Sequence, residues 1–272
     1  MKNALLTTLL ISFNVAASLS QAIKQTHIPL DNTSGIPFSK QQRDVFVDGF
    51  EIDKFGNYYF LGGNTISTWL VKFNGTKSIY RKKQGVNIGQ KLYIHNDKVY
   101  TFNYLRNTLS VSGMDGEQIS TYKKITPQRI NSFRFIDSTL IVDNNDKVDI
   151  SLTNYQLYTL TGQKNGITFN AYNIPEDIVK NKDIRNSVYL GKWNGKYLFW
   201  TVDDKRLDFE KYFLVNNKGA IEKTKSLNSK PFGHGFEDYE EFKKLRNGVI
   251  YIFGYKGKGG IITQLSVTEM FK

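Results

Sequence analysis

The sequence predicts an all-β fold built from repeated four-stranded units, and three observations lead to this prediction. Turn residues recur between runs rich in β-branched and aromatic residues, as in β-hairpins, at Gly56-Asn57, Asn96-Asp97, Asp137-Ser138, Asn194-Gly195 and Asn247-Gly248. A second turn follows most of them, at Asn74-Gly75, Asp115-Gly116, Thr161-Gly162 and Lys218-Gly219. Successive first turns lie 40, 41, 57 and 53 residues apart. A period of about 40 to 50 residues with four strands is typical of a β-propeller blade.

The first element of the chain is predicted to be a secretory signal peptide over residues 1–22. A short positive region precedes an apolar run at residues 4–13, and the small residues Ser20 and Ala22 precede a cleavage site. The apolar run is too short to cross a bilayer, which requires about 20 residues. We therefore expect an exported chain, periplasmic or at the cell surface or secreted, with no transmembrane segment after cleavage.

The blades follow in chain order and share strand length and aromatic-rich second strands rather than identical residues. Their hairpins read FEIDKFGNYYFL, KLYIHNDKVYTF, SFRFIDSTLIV, VYLGKWNGKYLFW and FKKLRNGVIYIF. The repeat requires residues 239–246 to be an inner strand, although their charge spacing also fits a helix. All three tryptophans fall inside predicted strands, so we expect them to pack between blades.

The last repeat supplies three strands and ends in GIITQLSVTEMFK, so its fourth strand must come from elsewhere. Residues 25–30 can extend, and Pro29 is tolerated on an outermost strand because one side of that strand is unpaired. We therefore predict one domain over residues 23–272, a propeller of five four-stranded blades whose N-terminal strand closes the last blade. A six-bladed propeller and a β-sandwich are the alternatives that the sequence leaves open.

The first blade carries the motif D-x-x-G-N-x-Y at Asp53 to Tyr59. With this motif, and with the repeat pattern over residues 45–272, the chain resembles the β-propeller repeat proteins, most nearly the exported bacterial propellers whose blades carry this hairpin. The resemblance implies the fold and no particular ligand, because that family includes enzymes, lectin-like binders and assembly scaffolds. The turn residues of the motif are expected to be architectural.

Basic residues concentrate in segments predicted to form the crossover face, which carries the second-to-third turns and the blade-to-blade connections. The formal net charge is +12. The basic candidate binding residues are Arg81, Lys82, Lys83, Arg106, Arg129, Lys205 and Arg206. Such a face predicts an anionic partner, either an anionic glycan or an envelope protein. The alternative is that the charge only keeps the protein soluble.

One loop adds the remaining candidate binding residues, because His234 stands between two glycines and close to Glu237 and Asp238. These three residues support an alternative function, a carbohydrate-active hydrolase or lyase that also uses a carboxylate from blade one. Glycoside hydrolysis normally needs two carboxyl groups that flank the bond. The inner strands of blades two and four offer none near their open ends. A binding or scaffold function therefore leads, and no catalytic residue is assigned.

Several kinds of chemistry lack support in the sequence. The chain contains no cysteine, which excludes disulfides and thiolate metal sites. It also lacks the G-x-S-x-G, H-E-x-x-H, P-loop and dinucleotide-binding motifs. We expect no cofactor, no metal and no nucleic-acid partner, and the sequence makes no prediction of oligomeric state.

Overall fold

The structure is a computed structural model and confirms the all-β propeller. It describes residues 23–29, 46–63, 68–85, 90–95, 97–103, 108–123, 132–136, 139–143, 155–163, 166–172, 181–184, 187–203, 206–233, 242–256 and 259–272. These residues form five four-stranded antiparallel sheets, which we call blades one to five.

The four strands of each blade lie side by side from an inner to an outer edge, in the following order. Blade one comprises β2 (Phe46–Ile52), β3 (Tyr58–Gly63), β4 (Thr68–Phe73) and β5 (Ser78–Gly85). Blade two comprises β6 (Gln90–His95), β7 (Lys98–Asn103), β8 (Thr108–Gly113) and β9 (Gln118–Lys123). Blade three comprises β10 (Ser132–Ile136), β11 (Thr139–Asp143), β12 (Tyr155–Gln163) and β13 (Gly166–Tyr172). Blade four comprises β14 (Val188–Trp193), β15 (Lys196–Asp203), β16 (Arg206–Val215) and β17 (Ile221–Asn228). Blade five comprises β18 (Lys243–Arg246), β19 (Val249–Lys256), β20 (Gly259–Ser266) and β1 (Ile23–Pro29).

Blade five closes as predicted, because the N-terminal strand supplies its outer edge. Strand β1 pairs with β20 from Ile23 opposite Leu265 to Pro29 opposite Gly259. Pro29 thus lies on an outermost strand, where a missing N–H is tolerated. A short helix, α1 (Val267–Met270), follows β20 and was not predicted. The inner strand β18 confirms that the end of residues 239–246 is strand rather than helix.

Apolar side chains fill the spaces between neighbouring blades, since successive residues of a strand point to opposite faces of its sheet. Phe50 of blade one packs with Phe253 of blade five at a ring-centroid distance of 5.9 Å. Leu70 of blade one packs on the opposite side, with Leu92 of blade two. Trp200, a predicted core residue, is buried between blades four and five. The blades are therefore joined by hydrophobic packing rather than by shared strands.

The turns show why the hairpins could be found in the sequence. Asn194 and Gly195 have φ angles of 48° and 74°, and Asn247 and Gly248 have 49° and 73°. Positive φ at both central residues defines the type I′ turn, which Asn-Gly favours. One predicted turn is wrong, because Thr161-Gly162 lies inside β12, which continues to Gln163. A Thr-Gly pair fits an extended strand as well as a turn, so composition alone misplaced this turn.

The blade-one motif is architectural, as expected. Asp53 Oδ1 accepts the backbone N–H groups of Phe55 at 2.9 Å and Asn57 at 2.8 Å, and its Oδ2 accepts the Asn57 side-chain amide at 2.8 Å. Gly56 has φ +83°, which suits a residue without Cβ. The Tyr59 hydroxyl donates to Asp53 Oδ2 at 3.3 Å. The motif residues therefore hold the turn, whereas the motif leaves positions 54 and 55 open to any residue.

Candidate functional site

Three of the predicted binding residues lie on a strand rather than on the crossover loop where the sequence placed them. Arg81, Lys82 and Lys83 belong to β5, the outer strand of blade one. Arg81 pairs in register with Val71, and Lys82 with Leu70. Because Val71 packs toward blade five and Leu70 toward blade two, Arg81 and Lys82 point to opposite sides of the sheet.

The three side chains consequently do not form one basic surface. Lys82 forms an ion pair with Glu117 of blade two. Arg81 is partly buried, and among the described residues its Nη1 has no hydrogen-bond partner. Lys83 is exposed. The predicted loop position was wrong because an outermost strand can carry consecutive charged residues, and such a run resembles a loop in the sequence; the binding role of these residues stays a prediction.

Arg206 was predicted in a crossover loop over residues 202–210, and in the structure it is the first residue of β16, beside the second-to-third turn of blade four. Its Nη2 lies 3.4 Å from Asp203 Oδ2, and its guanidinium carbon lies 4.1 Å from the centre of the Phe209 ring. Lys211 Nζ lies 3.2 Å from Asp203 Oδ1. We call Asp203, Arg206, Phe209 and Lys211 the Arg206 cluster.

The Arg206 cluster combines a buried anchor with an accessible cation. The Asp203 side chain is 3% exposed, whereas that of Arg206 is 54% exposed. Strand alternation explains the arrangement, because Phe209 and Lys211 project from the same face of β16. Two cations share one carboxylate, so the cluster has a net positive charge of one. The cluster can therefore bind an anionic group that approaches from solvent.

The other predicted site residues cannot be placed. They lie outside the residues that the structure describes, and they are Arg106, Arg129, Lys205, His234, Glu237 and Asp238. Their proposed roles in binding or catalysis therefore stay predictions.

A second charged group lies between blades four and five and was not found from the sequence. Lys243 Nζ lies 3.1 Å from Glu210 Oε1 and 3.8 Å from the centre of the Trp200 ring. The Tyr212 hydroxyl donates to Glu210 Oε2 at 2.5 Å. We call Glu210, Lys243, Tyr212 and Trp200 the Lys243 cluster. Burial, and next the Glu210 carboxylate, raise the pKa of Tyr212 well above its ordinary value.

The Lys243 cluster is closed to solvent. The side chains of Lys243 and Glu210 are 1% and 3% exposed, and Trp200 is also buried. A buried ion pair is tolerated only where the partners are close and further bonded, which the Tyr212 hydroxyl and the Trp200 ring provide. We assign this cluster to the packing of blade five on blade four rather than to ligand binding.

A third charged group joins three inner strands near the first-turn ends of the blades. Lys244 Nζ lies 3.0 Å from Glu51 Oε1, and Arg246 Nη2 lies 3.5 Å from Glu51 Oε2. Arg246 also donates to the carbonyl oxygen of Ile94 at 3.0 Å. Blades five, one and two are thereby linked. Glu51 is 3% exposed and Arg246 36%, so this Glu51 cluster is less accessible than Arg206.

The sequence contained one signal for these two buried groups. Glu51 stands between the buried residues Phe50 and Ile52, and Glu210 stands two residues before the buried run that begins at Tyr212. A carboxylate inside an apolar strand pattern indicates a buried partner, because an unpaired buried charge is very costly. The identity of the partner lysine, however, depends on contacts between blades.

Comparison with known proteins gives the fold alone. No protein-family model and no curated protein matches the chain. Among solved structures, the chain is similar to the glutaminyl cyclase of Myxococcus xanthus, with 10% identity, a TM-score of 0.50, and coverage of 88% of this chain and 94% of that one.

Two further solved structures have lower scores. The virginiamycin B lyase of Staphylococcus aureus matches with 11% identity and a TM-score of 0.47. The match covers 89% of this chain and 99% of the lyase. A member of the DUF4221 family from Bacteroides vulgatus matches at 11% identity, 89% and 96% coverage, and a TM-score of 0.45. The activities in these names belong to those proteins.

Membrane-spanning helices and clustered metal ligands are both absent from the described residues. No helix there is long and apolar enough to cross a membrane. The same residues contain no group of three or more His, Cys, Asp or Glu side chains that could hold a metal ion.

Proposed function

We propose that this protein is an exported binding or scaffold protein of the bacterial envelope. Its crossover face holds an anionic group of an envelope partner, which is either an anionic glycan or a protein. The observation that carries the proposal is the Arg206 cluster, where an accessible guanidinium is held against a buried carboxylate and an aromatic ring.

Arg206 is held in place before any ligand arrives. The Phe209 ring supports one face of the guanidinium, and Asp203 accepts from one edge. The guanidinium carries five N–H donors, so other donors can still reach a carboxylate or phosphate. Fixing the side chain in advance lowers the entropy lost on binding. Lys211 adds positive charge beside the same carboxylate, which favours an anion over a neutral ligand.

Accessibility separates Arg206 from the other charged groups inside the blades. Lys243 and Glu210 are closed to solvent, and Glu51 is bound by two cations. These groups stabilise the scaffold, whereas Arg206 is presented on its surface. This division fits a rigid propeller that carries its binding residues at the turns.

The predicted export is compatible with the position of the first strand. Strand β1 begins at Ile23, directly after the predicted cleavage site at Ala22. Removal of residues 1–22 would therefore leave the closing strand of blade five intact. The hydrolase or lyase alternative depends on His234, Glu237 and Asp238, and no observation on the described residues favours it over binding.

The experiment is a pull-down from the native envelope with the exported protein, followed by measurement of affinity for whatever is recovered. Arg206→Ala should weaken binding about tenfold or more, because a hydrogen bond to a charged group contributes about 1.5–3 kcal/mol. Arg206→Lys should rescue binding only in part, since an ammonium lacks the planar fork.

The matched control is Lys218→Ala. Lys218 is an exposed residue of blade four in its third-to-fourth turn, on the face opposite Arg206. Both variants remove one positive charge from the same blade, so a charge effect alone would weaken both equally. Equal binding by wild type and Arg206→Ala would overturn the proposal. Analysis of the recovered material as glycan or protein decides between the two kinds of partner.

A further inference from the structure

The large hydrophobic side chains that are exposed among the described residues share one region of the molecule. Phe55, Ile79 and Ile119 are 73%, 51% and 59% exposed. Phe55 lies in the first turn of blade one, and the two isoleucines are the second residues of outer strands β5 and β9. All three lie toward the face that carries the hairpin turns, opposite the crossover face. We call them the hairpin-face residues.

The fold does not require Phe55. The turn is held by Asp53, Gly56 and Asn57, and Phe55 contributes only its backbone N–H. Its ring lies under Lys54 Nζ, 5.1 Å from the ring centre, and is otherwise open to water. The Phe55 ring therefore does not hold the turn, and it is accessible to a partner.

Blade four carries a charged residue at the second position of its outer strand. The second residue of its outer strand is Glu222, which forms an ion pair with Lys196. Blades one and two instead expose Ile79 and Ile119 there. An outer strand of this fold thus tolerates a charged residue at this position. Of blades one, two and four, only the neighbouring blades one and two carry an exposed apolar residue there.

Contacts between these two blades bring their turns together. Lys54 Nζ of blade one lies 2.6 Å from Asp97 Oδ2 of blade two. Gly116 in the outer turn of blade two packs on Tyr80, the residue next to Ile79. Phe55 in its turn, and Ile79 and Ile119 at the starts of their outer strands, therefore lie at the same end of two adjoining blades.

The charges around these residues favour an anionic partner. Two acidic side chains here are paired with lysines, Asp97 with Lys54 and Glu117 with Lys82, whereas Asp115 accepts the backbone N–H of Glu117 and keeps its negative charge. Lys77 and Lys98 are exposed on the same face and form no ion pair with any residue that the structure describes. The whole chain carries a formal charge of +12, which attracts it to any anionic surface.

We propose that the hairpin face of blades one and two docks on the surface of an anionic lipid bilayer. Apolar side chains that are exposed singly at separate points of this face suit a fluid interface, into which each can insert by itself. A protein partner would instead need a continuous, closely fitting surface. Lysines beside inserted apolar side chains are typical of such interfacial contacts. Docking in this way would turn the Arg206 cluster away from the membrane and toward its ligand.

The test is co-sedimentation of the exported protein, after removal of residues 1–22, with vesicles. One set contains phosphatidylethanolamine with a quarter phosphatidylglycerol, and the other contains phosphatidylcholine alone. We expect binding to the anionic vesicles that weakens with salt. Phe55→Ser should lower the partition coefficient about tenfold, because the variant no longer removes a large apolar side chain from water on docking. The triple variant Phe55→Ser/Ile79→Ser/Ile119→Ser should abolish binding.

Matched lysine variants separate local docking from general charge attraction. Lys77→Ala and Lys218→Ala each remove an exposed lysine from a third-to-fourth turn, in blades one and four. Only Lys77→Ala should weaken vesicle binding. Because Arg206 is unchanged in all these variants, binding of the envelope partner should persist, which keeps this test separate from that of the proposed function.

Three results would overturn the inference. The wild-type protein could fail to sediment with anionic vesicles at low salt, or the triple variant could sediment as the wild type does. Sedimentation velocity could also reveal a dimer that Phe55→Ser dissociates, which would assign these residues to contact with a second copy of the chain.

Discussion

Lys243 of blade five and Glu210 of blade four form an ion pair of 3.1 Å in which both side chains are almost completely buried. Lys243 begins the inner strand of blade five, and Glu210 lies on the third strand of blade four. This pair lies beside the hydrophobic packing between the two blades. It also holds Lys243 against the Trp200 ring.

Removal of one member of this pair should be strongly destabilising. Glu210→Gln leaves the Lys243 ammonium buried without its carboxylate, and we expect the free energy of unfolding to fall by about 3–5 kcal/mol. Urea denaturation followed by circular dichroism measures the change. The double variant Glu210→Leu/Lys243→Met should recover part of the loss, because no buried charge remains.

The exposed pair of Lys196 and Glu222 in blade four is the control for that prediction. Glu222→Gln should leave the urea midpoint close to that of the wild type, because water and salt screen an exposed pair. Equal losses for Glu210→Gln and Glu222→Gln would contradict the structural role assigned to the Lys243 cluster.

Two glycines in equivalent turns should respond differently to the same substitution. Gly195 and Gly248 have nearly the same φ, 74° and 73°. A Cβ at position 195 would meet nothing within 4 Å, whereas one at position 248 would lie 2.6 Å from Trp193 Nε1. Both alanine variants should lose about 1–2 kcal/mol from the left-handed backbone.

Gly248→Ala should lose additional stability because the Trp193 side chain must move. The difference between the two variants, measured as a shift in urea midpoint, isolates the contact between blades four and five. Identical midpoints for the two variants would mean that Trp193 does not pack against this turn in solution.

The tyrosines of the blade interfaces predict the response of the protein to alkaline pH. Among the tyrosines that the structure describes, five have pKa values raised above the ordinary value, chiefly by burial: Tyr58, Tyr59, Tyr80, Tyr212 and Tyr251. The folded protein holds these protons more tightly than the unfolded chain does. Tyrosine ionisation should therefore leave the free energy of unfolding unchanged below about pH 10 and lower it as the pH rises above that value.

Urea midpoints across this pH range, with tyrosinate absorbance recorded in parallel, check the prediction. Ionisation of the buried tyrosines should accompany unfolding. Tyr59→Phe should reduce the pH dependence, since its hydroxyl faces the Asp53 carboxylate and is shielded from water. Full tyrosine ionisation with an unchanged circular dichroism spectrum would contradict the burial of these side chains.

The sequence predicted the blades because their turns depend on local chemistry. Asn194-Gly195 and Asn247-Gly248 specify type I′ turns whatever surrounds them. The Asp53 carboxylate holds its own turn through hydrogen bonds to Asn57, only four residues away. Spacing between such turns then revealed the repeat and the missing strand that β1 supplies.

The site was less predictable because it depends on strand ends and on contacts between distant residues. Lys82 looked like a loop residue, yet it lies on an outer strand and pairs with Glu117, 35 positions away. Lys243 and Glu210 meet only when blades four and five pack. Arg206 lies at the predicted end of blade four but on a strand, and its contact with Phe209 depends on the orientation of side chains along β16.

The most direct test of the proposed function is the affinity of the exported protein for its recovered envelope partner, measured for wild type, Arg206→Ala and Lys218→Ala. We predict that Arg206→Ala weakens binding about tenfold or more while Lys218→Ala leaves it unchanged, and that wild-type binding declines with salt. Equal affinities for wild type and Arg206→Ala would contradict binding at the crossover face.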